Sequence, residues 1–396
     1  MQTLGGRAPV RVGLESFVQG NHAGLRGKRI GLITNHSAID HNLDHAIDLI
    51  NASEDVHLAA LLGPEHGVRG SAQAGEHVTS SVDNRTGLPA HSLFGDTRRP
   101  TPEMLNGLDA LVYDVADIGV RYATYITTLL EAMRAAAQVG LAFVVLDRPN
   151  PLNGIGRQGN MLEPGHESFV GAYPLPVRHG LTVGEFARLA DDRLGLGLDL
   201  TVVPMDGWRR TYWYDDTDVP WVPPSPNLPT LTALALYPGT CLIEGTNLSE
   251  GRGTTTPFEI VGAPWLDAEA LAQRLRAANL PGAGFRPTTF VPTFSKHAGQ
   301  QCQAVHIHVL DRAALNAAAL GVHLLAAIHD LHGRELVWMV AQGADGNGLF
   351  LDLLAGSPEL RSALERGERP EHIVEAWTAG LRQFADVCAP YQIYDV

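Results

Sequence analysis

The chain has 396 residues, 45% hydrophobic and 18% charged, which is enough to bury more than one core and too apolar for a disordered polymer. Lysine and arginine number 29 against 43 aspartate and glutamate, a formal charge of −14, so the long-range field repels nucleic acid and anionic membrane. Three widely spaced cysteines (Cys241, Cys302 and Cys388) fit neither a disulfide framework nor a zinc site and read as thiols in a reducing compartment.

The first ten residues carry no apolar leader, and no apolar run approaches the roughly 18 residues of a membrane span. The expectation is a cytoplasmic protein with no nucleic-acid or membrane partner. Its oligomeric state stays open, with a dimer among the options.

In chain order, strand and helix patterns alternate. Arg29–Asn35 is a short apolar run of the kind a buried parallel strand shows, followed by helical spacing over Leu43–Ile50. His57–Leu62 reads as a second strand. Thr101-Pro102-Glu103 starts a helix, with a cap, a proline at the first helical position and an acid in the first turn. Strands are expected at Ala110–Val115, Leu141–Leu146 and Leu198–Val203, and helices at Thr124–Val139 and Thr182–Asp191. This alternation implies an α/β domain with a doubly wound, Rossmann-like parallel sheet over residues 8–230.

Between Trp208 and Pro238 the pattern breaks into a proline- and tryptophan-rich connector. A smaller α/β domain over 238–396 follows. It has helices near Asp267–Ala278, Ala313–Leu331, Pro358–Arg366 and Glu371–Asp386, and a strand at Gln303–Val309.

Open parallel sheets bind ligands beyond the carboxyl ends of their strands, and here those ends are dense in polar groups. Asn35 and His36 follow the first strand. The run Gly63-Pro64-Glu65-His66-Gly67-Val68-Arg69-Gly70 follows the second. Asp114, Asp117, Arg121 and Tyr125 follow the third, and Asp147, Arg148 and Asn150 the fourth. Such residues also cap helices and make turns, but four successive ends favour a site. Glu65, fixed between a proline and glycines, suits a proton donor or acceptor, which must be held within hydrogen-bond reach of the reacting atom. His66 could orient it or touch substrate, or be a hydrogen-bonded loop residue.

A second dense segment runs from Glu244 to Thr255 and includes Asn247, Glu250 and Arg252 on a glycine-rich scaffold. Arg252 suits bidentate pairing with a carboxylate. Lys296, in Phe294-Ser295-Lys296, is a weaker candidate. Gly154 to Gly159 matches G-x-G-x-x-G, but prolines separate it from its strand and no helix can follow, so no dinucleotide site is expected. The pairs His41/His45 and His306/His308 lack a third ligand, so neither a metal nor a cofactor is expected.

Together the motifs Thr34-Asn35-His36, Gly63-Pro64-Glu65-His66-Gly67, Asp117-Ile118-Gly119, Leu146 to Pro151, Pro176 to Gly180, Trp221 to Asn227 and Glu244 to Thr255 resemble the NamZ-type exo-β-N-acetylmuramidases, in one order from about Val12 to Tyr394. The resemblance implies a Rossmann-like domain, a smaller C-terminal α/β domain and a site in the cleft between them. It implies hydrolysis of the β-1,4 bond after a non-reducing terminal N-acetylmuramic acid (MurNAc), as in MurNAc–GlcNAc, with Glu65 as the catalytic carboxyl. The second carboxylate is open among Asp114, Asp117, Glu244 and Glu250, and Arg148 or Arg252 is expected to meet the lactyl carboxylate. Retaining, inverting, substrate-assisted and elimination routes all remain. So do two readings from other classes, a sugar-binding module and a cofactor-using oxidoreductase.

Overall fold

The computed structural model describes residues 9–20, 22–341 and 348–396. Residues 1–8, part of the segment read as lacking an apolar leader, lie outside them. Among the described residues no helix is long and apolar enough to cross a membrane.

The larger sheet is built from β1 (Arg29–Thr34), β2 (His57–Gly63), β3 (Ser81–Val82), β4 (Pro89–Ser92), β5 (Ala110–Asp114) and β6 (Ala142–Leu146). After an antiparallel pair, β7 (Gln158–Met161) and β8 (Pro176–Arg178), the last strand of that sheet is β9 (Leu200–Val203). Its order is β3-β4-β2-β1-β5-β6-β9, parallel throughout except where β3 pairs with β4. Counting only the parallel strands in chain order gives 3-2-1-4-5-6, the Rossmann arrangement, whose crevice opens where the order reverses between β1 and β5. The central strands are apolar on both faces because helices cover both: β5, Ala-Leu-Val-Tyr-Asp, is buried at every position.

Helix Thr124–Val139 ends on Gly140 in the left-handed region, where a side chain would be strained. The helix expected over Leu43–Ile50 begins at Ala46, because Leu43 has φ +67° and His45 caps the first turn by accepting from the Ile47 N–H.

The C-terminal unit is a three-stranded antiparallel sheet, β10 (Ile260–Ala263), β11 (Ala283–Phe290) and β12 (Cys302–Val309), in the order β10-β12-β11. Helices Leu231–Thr240 and Ala317–His332 cross closely through Gly239 and Gly321, where a Cβ on Gly239 would lie 1.9 Å from the Ala317 carbonyl oxygen. Three expectations are corrected here. The connector from Trp208 to Pro238 contains most of helix Leu231–Thr240, which Pro238 disguises by sitting inside its last turn. The helix expected from Ala313 starts at Ala317, because Asn316 caps it. The helix expected over Glu371–Asp386 is two, Pro370–Ala376 and Thr378–Cys388, with Trp377 between them.

The two units are tied together by buried polar bonds. Arg121 gives its guanidinium to four carbonyls, those of Asn160 and Leu175 on one side and Leu354 and Ala355 on the other, at 2.7–2.9 Å. The Tyr122 hydroxyl donates to the Pro238 carbonyl.

Candidate active site

A cleft of about 690 Å³ opens between the carboxyl edge of the parallel sheet and the C-terminal unit, within the size range of small-molecule sites. Glu65 enters it from the loop after β2. His66, next in the chain, has φ +72°, a conformation rare outside glycine, and its ring Nδ1 donates to the Ala72 carbonyl at 2.9 Å. That kink turns the Glu65 carboxyl toward the cleft, where Oε1 accepts from the Gly75 N–H at 2.9 Å and Oε2 from the Thr124 hydroxyl at 2.7 Å. Thr124 is the first residue of helix Thr124–Val139, and the position before it, Ala123, offers no side-chain cap. The helix thus begins beside the carboxyl, joined to it through the Thr124 side chain.

Across the cleft stand Glu244 and Arg252. The Arg252 guanidinium gives Nε and Nη2 to Glu244 Oε1 at 2.9 and 2.5 Å, while Glu244 Oε2 accepts from the Cys241 thiol at 3.4 Å. Burial pushes the Glu244 carboxyl upward, but the charge and hydrogen bonds of Arg252, helped by Lys296, outweigh it and hold the group below the usual carboxylate range. Glu250 lies behind this pair, buried, bound by Lys296 Nζ at 3.1 Å and 3.1 Å from Arg252 Nε. Lys296 also donates to the carbonyls of Ile243 and Glu244, so it knits the loop together and does not line the cleft.

Of the remaining expected residues, Tyr125 lines the cleft, and its hydroxyl is spent on the Pro224 carbonyl. His66 borders it with its ring largely buried. The others face elsewhere. Asp114 and Arg148 form a buried bidentate ion pair at 2.5 and 3.0 Å, taking both from the cleft. Asp117 accepts from the Gly119 N–H and sits 3.5 Å from His179. Asn35 ties down Ser37, and His36 binds the Pro223 carbonyl. Arg69 pairs with Asp83 and Asp48. Asn150 holds Leu181 and Leu152, Asn247 spans Glu335 and Val337, and Arg121 is the interdomain tie. Hydrogen bonds and ion pairs within the fold decide these cases. A polar residue at a strand end can face the crevice or the interior, and the sequence is the same either way.

The family model for the N-terminal part of the exo-β-N-acetylmuramidase NamZ matches residues 30–232, and that for its C-terminal part matches 235–394. The peptidoglycan β-N-acetylmuramidase NamZ of Bacillus subtilis is 45% identical over 385 residues, covering 97% of this chain and 91% of its own. This chain belongs to the NamZ family. Two crystal structures of DUF1343 family proteins from Bacteroides fragilis share the fold. One has a TM-score of 0.89 at 36% identity, covering 98% of this chain and all of that one; the other has 0.78 at 28%, covering 98% and 99%.

Within this NamZ-family cleft, sequence reasoning missed Thr124, Tyr237, Phe258 and the loop around Gly75. Thr124 carried one signal, a hydroxyl residue opening a helix that lacks a cap. Tyr237 and Phe258 carried none, since aromatic residues are used far more often to fill cores. Among the described residues no three metal-ligating side chains gather.

Proposed function

We propose that this NamZ-family enzyme removes non-reducing terminal MurNAc from peptidoglycan fragments such as MurNAc–GlcNAc, with Glu65 as the group that protonates the leaving glycosidic oxygen. The observation that carries this reading is the Glu65 carboxyl held in the cleft by Gly75 and Thr124. The Thr124 hydroxyl can donate to the carboxylate or accept from the acid, so it serves Glu65 before and after proton transfer.

Glu244 supplies the second carboxylate in this reading. Its oxygens are occupied by Arg252 and Cys241, and an engaged, ionised carboxylate is a poor nucleophile but a good fixed charge. It therefore stabilises the positive charge that develops on the sugar ring as the bond to the leaving oxygen breaks. Arg252, a guanidinium at the cleft wall, meets the lactyl carboxylate that separates MurNAc from GlcNAc. The partner in this reading is the saccharide substrate. The three free, buried cysteines support a reducing, cytoplasmic setting.

The test is mass and anomer analysis of the products from MurNAc–GlcNAc. Hydrolysis adds one water and yields MurNAc of a single initial anomer, whereas elimination gives an unsaturated product. Glu65→Gln is expected to lower kcat by about a thousandfold with an unchanged fold, as loss of a general acid does. Near-normal turnover by that variant would refute the assignment.

A further inference from the structure

Phe294 is an aromatic side chain left 47% exposed at the cleft wall, in a loop that is otherwise tightly fastened. The fastening is specific. Thr293 gives both its backbone N–H and its hydroxyl to the Gly253 carbonyl at 2.9 and 3.0 Å. A Cβ on Gly253, which has φ +80°, would lie 2.7 Å from the Phe294 nitrogen and oxygen, so only glycine permits this approach. On the far side, Ser295 and His297 both hold left-handed backbone, φ +68° and +57°, and the His297 ring bonds the Asn247 carbonyl at 2.7 Å. Strained backbone persists where surrounding bonds over-determine it, and such places cluster at ligand sites. Here the bonds hold the loop in place while leaving the phenyl ring half exposed at the cleft wall.

The cleft has a graded lining. Phe258 also lines it but is only 1% exposed, with the Arg252 guanidinium 5.2 Å from its ring centre, so this is the closed end. Phe294 marks the open end. An enzyme that removes a terminal sugar must bind that sugar at the closed end, and the sugar it leaves behind lies toward the mouth. A GlcNAc bonded through its O4 carries its ring substituents equatorially, apart from a free α-anomeric hydroxyl, so its ring faces present axial C–H groups that pack on an aromatic plane.

Resting on the muramidase reading above, we propose that Phe294 is the stacking platform for the leaving-group sugar, the GlcNAc on the reducing side of the scissile bond. It sets preference for saccharide leaving groups without contributing to recognition of MurNAc itself.

The experiment is calorimetric binding of MurNAc–GlcNAc and of MurNAc alone to the Glu65→Gln enzyme, with and without Phe294→Ala. The alanine variant is expected to weaken the disaccharide by about tenfold, leave MurNAc within about twofold, and be rescued by Phe294→Tyr. Equal weakening of both ligands, or of neither, overturns the platform and leaves the muramidase reading standing. If Glu65→Gln alone binds neither ligand, the muramidase reading fails and the platform fails with it.

Discussion

The Thr124 hydroxyl donates to Glu65 Oε2 at 2.7 Å from the first residue of a sixteen-residue helix, so a rigid element of the scaffold fixes the carboxyl that faces the cleft. The other oxygen is held by the Gly75 N–H in a surface loop. Thr124 is therefore the firmer of the two supports.

Thr124→Val keeps the branched shape and removes the donor. It should lower kcat by about tenfold, the scale of one hydrogen bond to a charged group, with KM within about twofold. Thr124→Ser should restore most of the rate. Steady-state kinetics on MurNAc–GlcNAc separates these parameters; a rise in KM at constant kcat would make Thr124 a substrate contact and not a positioning residue.

Asp114 and Arg148 both looked like site residues in the sequence, one as an acid and the other as an anion receptor, and the fold spends each on the other. Arg148 also donates to the Ile39 carbonyl at 2.9 Å, which joins β5, the loop after β1 and the end of β6. Removing one member of a buried pair strands the other. Asp114→Asn should therefore cost about 3–5 kcal/mol in urea unfolding, with kcat per folded molecule nearly unchanged. A collapse of kcat at undiminished stability would return Asp114 to the catalytic group.

The C-terminal tail is clasped by a buried carboxyl. Tyr394 donates its hydroxyl to Asp147 Oδ2 at 2.5 Å, alongside the Thr182 hydroxyl, while the N–H groups of Gly184 and Arg148 serve Oδ1. Burial nevertheless pushes the Asp147 carboxyl up to about 7. An acid raised in the folded state contributes stability that is complete below its unfolded value, near 3.9, and is lost as pH rises through about 7. Above that pH the ionised group depends most on its donors. The loss of unfolding free energy caused by Tyr394→Phe should accordingly be larger at pH 8, about 1–3 kcal/mol, than at pH 5. Equal drops at both pH values would show that Asp147 does not titrate in this range.

These cases show how far the sequence could be read. β1, β2, β5 and β6 were legible because a parallel strand buried on both faces is a short apolar run with nothing else to be. β10 and β11 were not, since one spans four residues and the other carries Pro287 and alternates weakly. In the site, Glu65 and the Glu244–Arg252 pair stood out because their loops are rich in glycine and polar groups. Arg121 looked equally functional, yet it is an interdomain tie, and the difference lies in which carbonyls surround it, which is a property of tertiary packing. Thr124 was read as the start of a helix, and only the fold brings it beside a residue 59 positions away.

Arg252 and Glu244 are bound to each other, yet they are assigned different work, and that separation can be tested. Arg252→Met keeps the aliphatic stem over Phe258 but removes the charge, so the lactyl carboxylate loses its partner and Glu244 loses the group that holds it ionised. Both recognition and rate should suffer, with kcat/KM for a MurNAc glycoside falling by about a hundredfold and that for the matched GlcNAc glycoside falling less, by the rate effect alone. Glu244→Gln removes only the charge that steadies the transition state, so kcat should fall while preference for MurNAc over GlcNAc persists. Comparing the two variants on matched chromogenic glycosides reads both effects. If Glu244→Gln abolishes the preference as fully as Arg252→Met does, the pair acts as one recognition unit and the second catalytic charge must come from elsewhere in the cleft.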